Sequence, residues 1–340
     1  LAATRVDVNG LIEKGRENVA LYSNDFTQSV YFKSDVVISS TRVADPFGGT
    51  TAWSLNFGAT TNSRIEQNVS STSGVKTQSV WVRVPSGTQD FILGFSGGEY
   101  VTFTATTTWQ RFETFTPSGS AFPRVLCEDS ATLEVFGFQV EQGLVATDYI
   151  ETGASTAQSG ILEDMPRLDY SGSCPSLLLE PQRQNRFTHS EFLEGFTKAS
   201  SGTASNPIVT SNYAISPEGV QNATRVQFNA GGGGTSSDIS RIYNSFTLFG
   251  GTQTMSVYLK SADGASHTIT LIMTNSNVKE VEVTNEWQRF DATQVNTSPD
   301  NYGIGLYGDN AETADILVYG FQLETGSYPT SYIPTYGTSV

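Results

Sequence analysis

The chain is predicted to be all-β, with two tandem antiparallel β-sandwich domains of the jelly-roll kind, on three observations. Its best-defined segments alternate apolar and polar residues with the period of a strand, turn clusters separate those segments, and most segments recur about half a chain later. The clearest recurrence is the tetrad WQRF, at Trp109–Phe112 and again at Trp287–Phe290.

The recurrences appear in the same order in both halves. TRVDVNG (Thr4–Gly10) is echoed loosely by PRLDYSG (Pro166–Gly172), and RENVALYSNDF (Arg16–Phe26) by RQNRFTHSEF (Arg183–Phe192). DPFGGTTAWSLNF (Asp45–Phe57) answers SPEGVQNATRVQF (Ser216–Phe228), and SVWVRV (Ser79–Val84) answers SVYLKS (Ser256–Ser261). The tails VFGFQVEQGLVATDYIETGAS (Val135–Ser155) and VYGFQLETGSYPTSYIPTYGTS (Val318–Ser339) close the series. The offset between copies grows from 162 at the first pair to 183 at the last, as expected when the loops of a duplicated unit lengthen and its strands do not. The expected division is residues 1–154 for the first repeat, 155–165 for a linker and 166–340 for the second.

Each repeat reads as a series of short strands. In Gln78–Arg83 the residues Gln78, Val80 and Val82 share one face, while Ser79, Trp81 and Arg83 share the other. In the second repeat Met255, Val257 and Leu259 oppose Ser256, Tyr258 and Lys260. Trp53 lies in phase with Leu55 and Phe57 and is expected in the core. Trp109 and Trp287 each begin a strand and are expected to anchor it there. In the closing strand Phe136, Phe138 and Val140 oppose Gly137, Gln139 and Glu141, and Tyr319, Phe321 and Leu323 oppose Gly320, Gln322 and Glu324. Turn clusters such as PSGTQD, FSGGEY and SADGAS punctuate these runs.

Composition narrows the functional classes. The 340 residues carry a formal charge of −15, which argues against nucleic acid because phosphate binding draws on clustered Lys and Arg. No apolar run is long enough for a membrane-spanning helix, so no membrane insertion is expected. Cys127 and Cys174 fall at non-corresponding places in the repeats, which argues against a disulfide belonging to the repeated fold. His189 and His267 occur in the second repeat alone, and no nucleophile–base arrangement recurs, so the chain is read as non-enzymatic. The sequence begins with Leu1 and is expected to be part of a larger protein.

Candidate ligand-binding residues are those placed on the outward face of the repeated strands. Trp81 and Tyr258 occupy corresponding outward positions, each followed on that face by a base, Arg83 or Lys260. A flat exposed ring suits the apolar face of a pyranose, while neighbouring polar groups hydrogen-bond its hydroxyls. Arg111 and Arg289 from the tetrads, with Gln139, Glu141, Gln322 and Glu324 from the closing strands, would complete the set if their strands share the sheet. Oxygen-rich loops containing Asn18, Asp25, Asn185 and Glu191 at the start of each repeat are candidate ligands for one structural Ca2+ per domain; ordinary turn capping is the alternative.

The motifs N…S…F, (D/S)P.G, SVWVRV/SVYLKS, WQRF and GFQ(V/L)E together resemble the jelly-roll carbohydrate-binding modules of the family 4, 9 and 22 type. The tail SYIPTYGTSV, with RLDYSGSCPSLLLEPQRQN, is similar to modules repeated in bacteriophage tail and virion-associated proteins. The resemblance implies non-catalytic binding of a polysaccharide or oligosaccharide, commonly β-glucan-like, often with a structural Ca2+, in an extracellular or virion-associated setting. Those modules often close on an Asp-rich strand, where this chain has Gln–Val–Glu and Gln–Leu–Glu. A structural or receptor-binding (adhesin) segment of a phage tail fibre is the alternative, and a glycoside hydrolase a third reading.

Overall fold

A computed structural model describes residues 4–69, 74–98, 100–117, 121–161, 166–170, 174–247, 250–273, 276–296 and 300–340. The fold is all-β, and among the described residues the one helical element is a single 3-10 turn at Leu193–Gly195. No helix of the described residues is long and apolar enough to cross a membrane. The chain divides into two compact units: Gly15–Leu162, and Glu163–Val340 together with Leu1–Lys14.

The Gly15–Leu162 unit is built from two five-stranded antiparallel sheets. From edge to edge, the first runs Tyr100–Ala105, Gln89–Phe95, Pro123–Cys127, Ser63–Gln67 and Tyr31–Ser34. The second runs Gln110–Thr116, Lys76–Arg83, Ala131–Gln142, Ala52–Phe57 and Val36–Val43. The other unit has the sheets Ser276–Val283, His267–Met273, Asp300–Tyr307, Ile239–Phe246 and Thr197–Ser201, and Gln288–Asn296, Gly251–Ser261, Thr313–Thr325, Ala223–Asn229 and Ser205–Ala214. Taken in chain order, the strands occupy the same places in both units.

Alternation explains the cores. Leu55, Val80, Val82 and Phe138 from one sheet meet Ile65, Phe91, Leu93 and Val125 from the other, and Val257, Leu259 and Phe321 meet Ile242, Leu271 and Ile304 in the second unit. Trp53 is buried as expected and donates its indole N–H to the Asn24 carbonyl at 3.0 Å. Trp109 and Trp287 depart from expectation, for both are only half-buried. The tetrad turns its Phe towards the core and its Trp and Arg to the outer face. There Trp109 lies under the Arg83 guanidinium at 4.8 Å, and Trp287 donates to the Ile215 carbonyl at 3.2 Å.

The alternation breaks at one glycine in each closing strand. Gly137 and Gly320 have φ of +64° and +67°, and the ladders to the neighbouring strands slip beside them. A β-bulge with its glycine in the left-handed region re-aims the residues on either side of it. Val135 and Phe138 therefore both enter the core, whereas Phe136 turns outward to meet Trp81. Tyr319 likewise turns outward to meet Tyr258. Phe136 and Tyr319 thus depart from the expected alternation, which groups them with Phe138 and Phe321.

The segment before the first sandwich also differs. Thr4–Val6 and Ile12–Lys14 form a hairpin that belongs to the unit of the second repeat. A second hairpin, Leu168–Asp169 with Ser176–Leu177, lies in the same unit. Part of the expected linker is structured, since Ala157–Ser159 pairs with Arg16–Asn18 in the first unit; its residues 162–165 lie outside those described.

Phe138 and Phe321 are the large aromatic groups that the two closing strands insert into their cores. Truncating either to Ala is expected to cost its own unit about 3–5 kcal/mol. Urea unfolding followed by fluorescence should show the altered unit melting at lower denaturant while the other unit's transition stays in place.

Candidate functional site

The residues that recur most faithfully build a clasp on each unit. After its closing strand the chain folds back across the outer face of the second sheet, and polar side chains bind that tail down. Asn18 Oδ1 accepts from the amides of Ala20 and Val140 at 3.1 and 3.0 Å, while its amide group donates to the Ile150 carbonyl at 2.8 Å. Asn185 repeats this with Phe187, Leu323 and Ile333 at 3.1, 3.1 and 2.8 Å. Gln139 accepts from the Ile150 amide at 2.7 Å and Glu141 from the Thr147 amide at 2.8 Å. Gln322 and Glu324 take Ile333 and Thr330 at the same two distances, 2.7 and 2.8 Å.

Arg111 and Arg289 complete the clasp. Arg111 donates to the Thr147 carbonyl at 2.5 Å and to Ser79 Oγ at 2.9 Å; Arg289 donates to the Thr330 carbonyl at 2.7 Å and to Ser256 Oγ at 2.9 Å. Burial lowers the Arg111 guanidinium and raises the Glu141 carboxyl from their ordinary values. Gln139, Glu141, Gln322 and Glu324 are buried, so these four candidates and the two arginines serve the tail in place of an outward binding face. A buried backbone segment needs partners for every amide and carbonyl, and these side chains supply them.

Trp81 and Tyr258 lie beneath the clasp. The Trp81 ring has Arg111 over it at 4.4 Å, and Phe47, Tyr149 and Phe136 lie 5.5, 5.5 and 5.9 Å from it by ring centroid. Tyr258 is packed by Tyr319, Tyr332 and Arg289, and its burial raises its phenol pKa from the ordinary value. Arg83 forms an ion pair with Glu134 at 2.5 Å, and Lys260 is half-buried on the strand that carries Tyr258. Tyr258 and Arg289 do line a cleft of about 240 Å³ with Thr4, Arg5, Asp169 and Glu180. That is below the usual range for small-molecule sites.

The four calcium candidates are committed elsewhere. Asn18 and Asn185 spend their oxygens on pairs of backbone amides. Asp25 caps a turn, accepting from Thr27 and Gln28 at 2.6 and 2.8 Å. Glu191 is an ion-pair partner of Lys14 at 2.5 Å, with Glu218 on the same ammonium at 2.6 Å. Lys14 Nζ lies 5.3, 5.7 and 5.8 Å from the ring centroids of Tyr319, Tyr332 and Tyr336. Oxygens already accepting N–H and ammonium donors do not fit a calcium shell of six to eight ligands.

The first sheet of the Gly15–Leu162 unit presents a different outer face. Backbone pairing aligns Phe32, Glu66, Arg124, Gly94 and Tyr100 in one row across its five strands. Phe32 is 53% exposed and Tyr100 47%, and four strand spacings put them roughly 19 Å apart. Between them Glu66 holds Arg124 at 2.5 Å and Arg64 at 3.1 Å; Arg64 also lies over Phe32 at 5.1 Å, and Arg124 donates to the Tyr100 hydroxyl at 3.0 Å. These contacts join Arg64, Glu66, Arg124 and the two rings in one network. In the other unit the same sheet carries Arg241 and Tyr243 beside Gly303 and Gly305, with Arg241 over the Tyr243 ring at 5.1 Å. Sequence reasoning missed this row because it looked for residues that recur, and Phe32 and Tyr100 have no aromatic counterpart.

No protein-family model matches the chain, and no curated protein matches it. Among solved structures it is similar to the N-terminal tandem CBM22-1–CBM22-2 domain of Paenibacillus barcinonensis Xyn10C, at 11% identity and TM-score 0.32, covering 96% of this chain and 99% of that one. It is also similar to tandem CBM51 modules of a family 98 glycoside hydrolase from Streptococcus pneumoniae, at 8% identity and TM-score 0.26, covering 81% and 84%. A third likeness is to the ANXUR1 extracellular domain from Arabidopsis thaliana, at 10% identity and TM-score 0.28, covering 88% and 91%. Likeness this distant leaves the ligand of the present chain open.

Replacing Lys14 by Ala would leave Glu191 and Glu218 buried without their cation, at a cost of about 3–5 kcal/mol. It should appear as early urea unfolding of the second unit and fast proteolysis of the first hairpin; an unchanged transition would contradict the pairing. Because the proposed calcium ligands are occupied, the thermal midpoint should be the same in EDTA and in millimolar calcium, and a clear upward shift with calcium would reopen that assignment.

Proposed function

We propose that this chain is a non-catalytic carbohydrate-binding protein whose ligand lies across the open sheet of the Gly15–Leu162 unit, between Phe32 and Tyr100. The observation that carries this reading is the row itself: two exposed rings at the ends of an Arg64–Glu66–Arg124 network on one sheet face. Exposed rings stack on the apolar faces of sugar rings, and guanidinium and carboxylate groups between them hydrogen-bond hydroxyls. Glu66 is engaged by two guanidinium groups, an arrangement suited to orienting a ligand. The length of the row favours an oligosaccharide or polysaccharide over a single sugar. A β-glucan-like chain is the class suggested by the motifs, and an extracellular or virion-associated setting suits such a ligand.

Among the described residues the two units differ on this sheet, the first carrying Phe32 and Tyr100 and the second Arg241 and Tyr243. A shallow row of this type binds weakly, since about 1 mM corresponds to only −4.1 kcal/mol. A glycan array on the whole chain should return oligosaccharides, with Phe32→Ala and Tyr100→Ala each weakening retention by about tenfold while leaving the melting curve unchanged. Trp81→Ala should lower the melting point instead. A blank array, or full retention by the Phe32→Ala/Tyr100→Ala double variant, would defeat this assignment.

A further inference from the structure

We propose that the Leu177–Leu179 edge of the second hairpin docks onto the aromatic cluster around Phe47 and Trp81 in a second copy of this chain. Such docking would reproduce, between copies, the way the first hairpin seats on the second unit. The two hairpins correspond by register. Val6 pairs with Ile12 and Arg5 with Glu13, while Leu168 pairs with Leu177 and the Leu178 amide bonds the Arg167 carbonyl at 2.8 Å. Arg5–Val6–Asp7 matches Arg167–Leu168–Asp169, so Ile12 corresponds to Leu177 and Lys14 to Leu179.

The fates of these residues are opposite. Ile12 and Lys14 are buried, but Leu177 is 55% exposed and Leu179 82%. The seat of the first hairpin is equally well defined. The Ile12 amide donates to the Pro217 carbonyl at 2.8 Å, Lys14 lies between Glu191 and Glu218, and a Cβ on Gly219 would come within 3.3 Å of Leu11. The corresponding seat on the first unit is Asn24, Pro46, Phe47 and Gly48, with Phe136 and Tyr149 in place of Tyr319 and Tyr332. Here Phe47 is 68% exposed, and a Cβ on Gly48 would meet nothing within 4 Å.

Polarity selects the occupant. Where the filled seat has Glu218, its hairpin brings Lys14. Where the first unit has Phe47, the second hairpin brings Leu179. Both substitutions go from charged to apolar, so each hairpin fits one seat and mismatches the other: Lys14 over Phe47 would be a desolvated cation without a carboxylate, and Leu179 over Glu191 and Glu218 would leave two carboxylates buried without a cation. Phe47 and the Leu177–Leu179 edge are both exposed, and a second copy of this chain brings the two apolar surfaces together. Two copies that exchange hairpins close as a dimer, and copies that cannot close extend into a chain of molecules.

Sedimentation velocity on the whole chain, from about 1 to about 100 µM, reads this directly. Wild type should associate as concentration rises, and Phe47→Glu or Leu179→Lys alone should weaken association by about tenfold or more. The double variant Phe47→Glu/Leu179→Lys copies the Lys14–Glu218 pair and should recover it. Leu179 is 82% exposed, so Leu179→Lys should melt like wild type and carries the test if Phe47→Glu, which loses ring contacts to Trp81 and Phe136, melts earlier. A chain that stays monomeric over the whole range, or association that neither single change weakens, would overturn the proposal.

Discussion

A carboxamide that accepts from two backbone amides while donating to backbone carbonyls holds each unit together. Asn18 and Asn185 sit where the opening segment of the unit, the closing strand and the returning tail converge, and both are fully buried. A tail laid over a sheet gains apolar contact, but it also removes its own amides and carbonyls from water. Leaving even one such group unpaired costs about 1–3 kcal/mol. The clasp meets that demand group by group, with Asn, Gln, Glu and Arg each pointing at a backbone atom. It also fixes the aromatic layer beneath, because Tyr149 and Tyr332 can reach Trp81 and Tyr258 only when the tail is held down. The bulged glycines belong to the same device: a Cβ on Gly137 would come within 3.0 Å of the Trp81 ring, and one on Gly320 within 3.1 Å of Tyr332.

The architecture was legible in the sequence because alternation reports which face of a strand meets the core. Val80, Val257, Phe138 and Phe321 were placed inside and are inside. The reading failed where the backbone leaves the regular pleat. One residue in the left-handed region reverses the parity of everything before it, which is why Phe136 and Tyr319 were assigned to the wrong face. Polar residues at outward parity were read as ligand-binding, yet a polar side chain that faces away from the core can face a returning tail. Gln139 and Glu141 do so. The signal that could have found the clasp was present in the paired tails, where TDYIET and TSYIPT recur in step with GFQVE and GFQLE. A segment that recurs with the strand it covers is bound to it.

Repetition therefore marks what each unit needs in order to fold, and the exposed surfaces that set the units apart are found where the copies differ. Phe32 and Tyr100 stand on a sheet whose counterpart carries other residues at those places. Phe47 and Glu218 occupy corresponding turns with opposite chemistry. The first hairpin shows how far such divergence reaches, since its Lys14 is matched to the carboxylates of the second repeat and not to the repeat it precedes in the chain. A search confined to recurring residues finds the scaffold and passes over these differences.

Amide hydrogen exchange at the tails tests the clasp most directly. The amides of Thr147 and Ile150, and of Thr330 and Ile333, donate to side-chain oxygens and not to a neighbouring strand. If the clasp holds, they exchange as slowly as the amides of the closing strands and open only with their whole unit. Exchange at the rate of unprotected loop amides, with the closing strands still protected, would show that the tails are loose and that the recurring polar residues have another role.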